Sequence, residues 1–297
     1  MFHALALRSL GLLALALPAL AFAQASTLDK IKQSGTMTLA YRESSIPFSY
    51  LGGDAQPTGF GFEICQKIVD NVKKATGRND LKLQYQAVTS ANRIPLLQNG
   101  TIDIECGSTT NNSERGKQVA FAINYFYTGT RFLVKTGTNV NKLSDLAGKP
   151  VVSTTGTTNF QIIRRLNEEQ KLGIELLGAK DHAESALMVQ TGRAVAFAMD
   201  DILLYGLRAS AQNPNELAVV GEPIQVEPYA IMLRKDDPAF KKLVDDTLAG
   251  LMKSGEFEAL YKKWFQSPIP PKGINLNAPM SKELIENMKA LSDKPAT

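Results

Sequence analysis

Histidine and cysteine are scarce in this chain, with two of each in 297 residues. That scarcity removes most metal and nucleophile chemistry. Cys65 and Cys106 lie too far apart for a Cys-x-x-Cys redox pair, and their number and spacing fit no zinc site. A nucleophile elbow is also missing. After the first two dozen residues no apolar run approaches the ~18 residues of a membrane span. Blocks of like charge, internal repeats and low-complexity tracts are absent. With 33 basic and 29 acidic residues the formal net charge is +4, which makes no case for nucleic acid as a partner.

The N-terminus reads as a secretory leader. Arg8 is the only charged residue before Asp29, Leu10 to Leu20 is rich in leucine and alanine, and Ala21-Phe22-Ala23 offers small residues for a peptidase. Residues 1–23 are therefore expected to be a signal peptide, cleaved near Ala23 to leave an exported, soluble protein with one positive charge fewer. In an oxidising compartment Cys65 and Cys106 would form one disulfide; two buried free thiols are the alternative.

The remaining chain has room for two domains. A capping box at Ser26 to Asp29 opens a short helix that ends at Gly35, and Thr36 to Tyr41 reads as a strand. Pro47, Gly52, Gly53 and Pro57 mark a loop. From Phe60 the spacing becomes helical, with Ile64, Cys65, Ile68, Val69 and Val72 on one stripe. Leu81 to Val88 alternates as a strand, Asn92 to Gln98 is a short helix, and Ile102 to Ile104 is a strand. A strand at Val151-Val152 leads to a helix from Thr158 to Gln170. Ile174 to Leu177 is a strand, Ala183 to Gln190 a helix, and Ala194 to Met199 a buried strand. Tyr229 to Leu233 is a further strand. Two helices follow, one capped by Asp237 with Pro238 at its first position, the other carrying Phe257, Leu260, Tyr261, Trp264 and Phe265. Beyond Pro268 the tail is expected to pack loosely. Strands alternating with helices imply an α/β fold with mostly parallel sheets covered on both faces.

Two polar turns stand out. Cys106 to Arg115 joins a glycine, several hydroxyls and a closing arginine; Ser153 to Thr158 is nearly all Ser, Thr and Gly. Each follows an apolar run. Facing each other, they would make a clamp for a small carboxylate, with hydroxyl donors and a guanidinium fork.

Several long stretches resemble the periplasmic amino-acid-binding proteins of ABC importers (solute-binding protein family 3), and among these the glutamate/aspartate binders. They are Tyr41 to Tyr50, Asn92 to Gly100, Glu105 to Arg115, Leu166 to Lys171, Ala179 to His182, Gly192 to Phe197, Leu233 to Pro238 and Pro268 to Lys272. The resemblance implies a two-lobed, type II periplasmic-binding-protein-like fold. Lobe 1 would take residues 26–128 and 229–297, and lobe 2 residues 129–228. The crossings would lie near Tyr127 to Thr130 and Gly221 to Pro228. It implies no cofactor, a monomer, and partners in L-glutamate or L-aspartate and an inner-membrane ABC permease.

Carried onto this sequence, the family pattern assigns Arg115 to the ligand α-carboxylate, with Ser108, Thr110, Thr155 and Thr158 as further donors. Asp200 would meet the α-ammonium, with Asp201 as a helix cap. Arg42, Ser90, Arg93 and His182 would hold the distal carboxylate. For Thr158 a plain N-cap is the competing reading, for Arg42 a surface salt bridge, for Arg93 a solvated helix face. His182 would serve either as a cation or as a neutral donor. The competing functions are a periplasmic dehydratase of the cyclohexadienyl type, with Asp200 or His182 as acid or base, and a sensor input domain.

Overall fold

The computed structural model describes residues 26–296. The expected leader lies outside the described residues. The chain opens with α1 (Thr27–Ser34), capped by the Ser26 hydroxyl and stopped at Gly35 with φ 65°. β1 (Thr36–Tyr41) follows, then a small antiparallel sheet of β2 (Ser44–Ser45), β3 (Ser49–Leu51) and β4 (Pro57–Thr58). Next come α2 (Phe60–Thr76), β5 (Lys82–Ala87), α3 (Arg93–Gln98), β6 (Ile104–Glu105) and α4 (Ser113–Gly116). The long strand β7 (Ala120–Lys135) leads to β8 (Pro150–Thr154), α5 (Thr158–Gln170), β9 (Glu175–Ala179), α6 (His182–Gln190), β10 (Ala196–Asp200) and α7 (Asp201–Ser210). The remainder is β11 (Leu217–Val220), β12 (Val226–Leu233), α8 (Pro238–Ser254), α9 (Glu256–Phe265) and α10 (Lys282–Ala290).

The main sheet runs β5-β1-β6-β12-β7-β10-β8-β9, with β11 also on β7. β1, β5 and β6 are mutually parallel, as are β10, β8 and β9. Between the two parallel sets, β7 and β12 run antiparallel to their neighbours. β7 changes partners along its length. Ala120 to Gly129 pairs with β12, and Thr130 to Lys135 pairs with β10 and β11. One strand thus belongs to both halves of the molecule.

Each parallel set is covered by helices whose apolar stripe faces it. On α2 the stripe is Ile64, Cys65, Ile68, Val69 and Val72, all buried. All five large apolar residues expected on α9, from Phe257 to Phe265, are buried as well. Around them sits an aromatic cluster: Phe48 meets Phe126 edge-on at 4.8 Å, and Phe126 stacks on Phe265 at 5.0 Å. Such pairs contribute about 0.5–1.5 kcal/mol beyond area burial. This cluster draws on β7, β12, α2 and α9 together, and so ties the shared strand to the first lobe.

Two expectations are corrected here. The tail does not pack loosely. Asn124 donates its amide to the Ser292 carbonyl at 3.0 Å and its side chain to Lys294 O at 2.8 Å; Asn111 donates its side chain to Asp293 O at 2.7 Å and accepts from the Ala296 amide at 2.9 Å. Polar groups of the first lobe satisfy the tail's backbone, while Ile269 and Leu284 are buried in the core. Nor does Asp201 cap α7: it is the first helical residue, and it accepts from the Thr128 hydroxyl at 2.6 Å.

Cys65 and Cys106 are bonded, which removes the free-thiol alternative. The bridge joins α2 to the residue just before Gly107-Ser108 and closes a separation of 41 residues. Chain entropy then gives ~4 kcal/mol. Replacing both cysteines by serine should lower unfolding free energy by ~2–5 kcal/mol in urea titrations. Denatured, unreduced wild type should show no reactive thiol.

Candidate functional site

Six strands, three from each parallel set, point their carboxyl ends at one place. In open α/β sheets that is where ligands are met. Arg42 follows β1; Ser90 and Arg93 follow β5; Ser108 and Thr110 follow β6, with Arg115 on α4 just beyond. From the other lobe come Thr158 after β8, His182 after β9, and Asp200 at the end of β10. All of these but Arg42 line one small cavity, together with Thr157, Asn159, Met199 and Leu203. Arg42 closes it from behind, donating to Ser90 Oγ at 2.8 Å.

Thr155 is not brought to this place. Its amide and its hydroxyl both donate to Ala179 O, at 3.0 and 3.1 Å, which turns the residue back into its own lobe. Thr158 is not the N-cap of α5. Thr157 is, accepting from the Phe160 amide at 3.1 Å, so Thr158 can line the cavity, where its hydroxyl bonds side chains rather than the helix backbone. Arg42 and Arg93, for which surface readings competed, are each only 2% exposed.

The electrostatics are those of an anion trap. Burial lowers the pKa of Arg42 to about 9, with Arg93 as a second cause, and does the same to Arg115. Arg93 is shifted down by burial too, against the opposing pull of Glu105. A guanidinium is basic enough to keep its proton within proteins, so all three carry their charge at neutral pH. Arg93 donates to the Thr109 hydroxyl, which donates to Glu105 Oε2 at 2.6 Å. Arg115 donates to Thr110 O at 2.9 Å and, across the cleft, to Gly156 O at 3.1 Å.

His182 is held well below its usual pKa by burial, then by Arg42 and Arg93, so it is neutral. Its tautomer follows from its neighbours. Arg42 lies 3.3 Å from Nε2 and has only protons to offer, so Nε2 accepts. Nδ1 then donates to Thr154 Oγ1 at 2.9 Å; Thr154 donates to Ser185, 2.9 Å away, and Ser185 to Asp181 O. Of the two roles open from sequence, the arrangement fits the neutral one: His182 donates from Nδ1 to Thr154 and accepts from Arg42 at Nε2, which orients Arg42.

Asp200 lies opposite the arginines. It accepts from Asn159 at 2.7 Å and from the Tyr229 hydroxyl. Burial raises it to about 6 despite those bonds. Sequence reasoning missed a second acid, Glu227, which accepts from Thr158 at 2.9 Å; burial, then Asp200, raises it to about 7. Its signal was a lone carboxylate beside Pro228 and Tyr229 at the start of an apolar strand. Glu105, Asn159 and Tyr229 were missed for the same reason: each acts on another side chain.

Five buried polar atoms of the side chains described above have no hydrogen-bond partner within the protein: Arg42 Nη1, Arg93 Nε, Glu105 Oε1, Ser108 Oγ and Glu227 Oε1. Orphaned buried donors are rare and call for an explanation. A small ligand with oxygens toward the arginines and a cationic centre toward Asp200 supplies one. The described residues hold no cluster of His, Cys, Asp and Glu able to bind a metal.

Residues 37–267 match the model of the bacterial extracellular solute-binding proteins, family 3. The chain belongs to that family. It is 50% identical over 283 residues to the "L-glutamate/L-aspartate-binding protein" of Pseudomonas aeruginosa, covering 95% of this chain and 94% of that one. To the "Glutamate/aspartate import solute-binding protein" of Escherichia coli (strain K12) it is 49% identical, with 92% and 89% covered. A solved structure of a mutant of ArgBP from T. maritima superposes with a TM-score of 0.73 at 26% identity, over 81% of this chain and 99% of that one. The fold is thus the two-lobed, type II periplasmic-binding-protein-like α/β fold expected from the resemblance, and the relatives at half identity are binding proteins, not enzymes.

The raised acid fixes a pH dependence. Asp200 carries its proton to about pH 6 when folded but sheds it near 4 when unfolded. Its stability contribution is therefore full below pH 4 and is lost as pH rises through 6. Asp200→Asn removes that loss. The unliganded variant should gain stability relative to wild type as pH goes from 4.5 to 7.5, by a few kcal/mol at most. Paired thermal melts check this, and taking the difference cancels the contribution of His182.

Proposed function

We propose that this protein captures L-glutamate or L-aspartate between two closing lobes and delivers it to the permease of an ABC importer. It works as an exported monomer in the periplasm, after cleavage of its leader near Ala23. The observation that carries the ligand assignment is the charge arrangement of the site: three buried guanidiniums on one side and one buried carboxylate opposite. A metabolite of a few heavy atoms with two anionic ends and one cationic centre satisfies it. The names of the relatives at half identity point the same way.

In this reading Arg115, Ser108, Thr110 and Thr158 hold the α-carboxylate and Asp200 takes the α-ammonium. Arg42, Ser90 and Arg93 meet the distal carboxylate, and His182 keeps Arg42 in place. The lobes are residues 26–128 with 229–297, and residues 129–228. The change of partners along β7 between Gly129 and Thr130, with Val226 opposite Gly129, supports a hinge there. A dehydratase needs a free acid or base. Asp200 and His182 are both engaged in hydrogen bonds that hold other groups.

Thermal shift against the twenty amino acids tests the reading. A ligand at ~100 times its dissociation constant adds ~2.7 kcal/mol. Glutamate and aspartate should give the largest shifts and glutamine a much smaller one, because buried guanidiniums would face a neutral amide. Equal shifts for glutamate and glutamine would rule out the acidic-ligand assignment. Arg93→Met should weaken glutamate binding at least tenfold by calorimetry, which requires only ~1.4 kcal/mol.

A further inference from the structure

Gly206 occupies the middle of α7, where almost any other residue would favour the helix more. Backbone freedom does not explain it, because its φ is helical rather than left-handed. Space does. A Cβ built at Gly206 would lie 2.6 Å from Ile46 O and 3.0 Å from Ile46 Cβ and Cγ2. Ile46 is on the opposite lobe, between β2 and β3. A second contact of this kind joins Gly156, in the β8–α5 turn, to the Ser90-Ala91 backbone: its Cβ would lie 2.6 Å from Ala91 Cα. By contrast, Gly250 on α8 would place its Cβ in open space.

At these two points the lobes therefore meet backbone to backbone. Ordinary contact starts at 3.4 Å, so a Cβ at either glycine would hold the lobes apart by most of an ångström, unless backbone yields. Two bonds across the cleft are already long: Thr110 to Thr158 and Arg42 to His182, both 3.3 Å. Neither survives that displacement, since a contact beyond 3.5 Å is no longer a hydrogen bond.

We propose that Gly206 and Gly156 are closure-limiting contacts, whose missing side chains set how near the lobes come and hence how tightly the ligand is held. Neither needs to touch the ligand. The proposal rests on the closing-lobe reading above. Gly206 is the cleaner probe, because Gly156 has φ 79° and any substitution there is strained regardless of closure.

The test compares Gly206→Ala and Gly250→Ala with wild type. The ligand is L-glutamate, or whichever of the twenty amino acids gives wild type its largest thermal shift. Both variants swap a helical glycine for alanine, so both unliganded proteins should melt no lower than wild type. Only Gly206→Ala should lose affinity, at least tenfold by calorimetry and chiefly through faster release. Small-angle scattering of its ligand-saturated form should show a larger radius of gyration than wild type. Wild-type affinity in Gly206→Ala overturns the proposal. So does a lowered melting temperature of that variant without ligand, which would place the contact within one lobe's own packing. A wild type that ignores glutamate but answers another amino acid overturns the ligand assignment instead, and the closure test then runs with that amino acid.

Discussion

Three arginines buried around one small cavity are the constraint on which the rest depends. Taking a guanidinium out of water costs several kcal/mol unless partners replace the solvent. The chain replaces it partly. Glu105 and Thr109 hold Arg93, Ser90 and His182 hold Arg42, and two carbonyls hold Arg115. Arg42 Nη1 and Arg93 Nε keep no partner. A fully compensated cluster would have no affinity left for an anion, and an uncompensated one would not fold.

The opposite wall shows the same balance with the sign reversed. Burial raises both Asp200 and Glu227; Asp201 raises Asp200 further, and Asp200 raises Glu227. An ammonium placed beside them relieves that repulsion. In the proposed function, ligand capture and closure would be one event, since Glu227 sits near the start of β12, at the proposed crossing, and its partner Thr158 reaches across to Thr110. The Cys65–Cys106 bridge and the C-terminal tail brace the segment that carries Ser108 and Thr110 from two sides.

Much of the fold was legible because its signals are local. The helical stripe from Ile64 to Val72, the stop at Gly35 and the Asp237-Pro238 start need only neighbours in sequence. The long strand β7 was not legible, since it is buried for most of its length and serves two sheets, so neither a period of two nor a boundary marks it. Thr155 was misplaced because a run of similar hydroxyl residues does not say which one turns inward. The cap assignments failed by one residue at Thr157 and Thr158, where backbone geometry decides between equivalent side chains.

By itself, then, the sequence determined the alternation of strands and helices, an exported character, and a stock of arginines and hydroxyls at strand ends, because residue type and spacing act over a few positions. Tertiary structure alone decided that these strand ends converge, that His182 is a neutral acceptor, that Glu227 joins Asp200, and that Gly206 lies against Ile46. Those are matters of distance between parts of the chain far apart in sequence. Charge, burial and steric contact depend on such distances and on nothing that composition records.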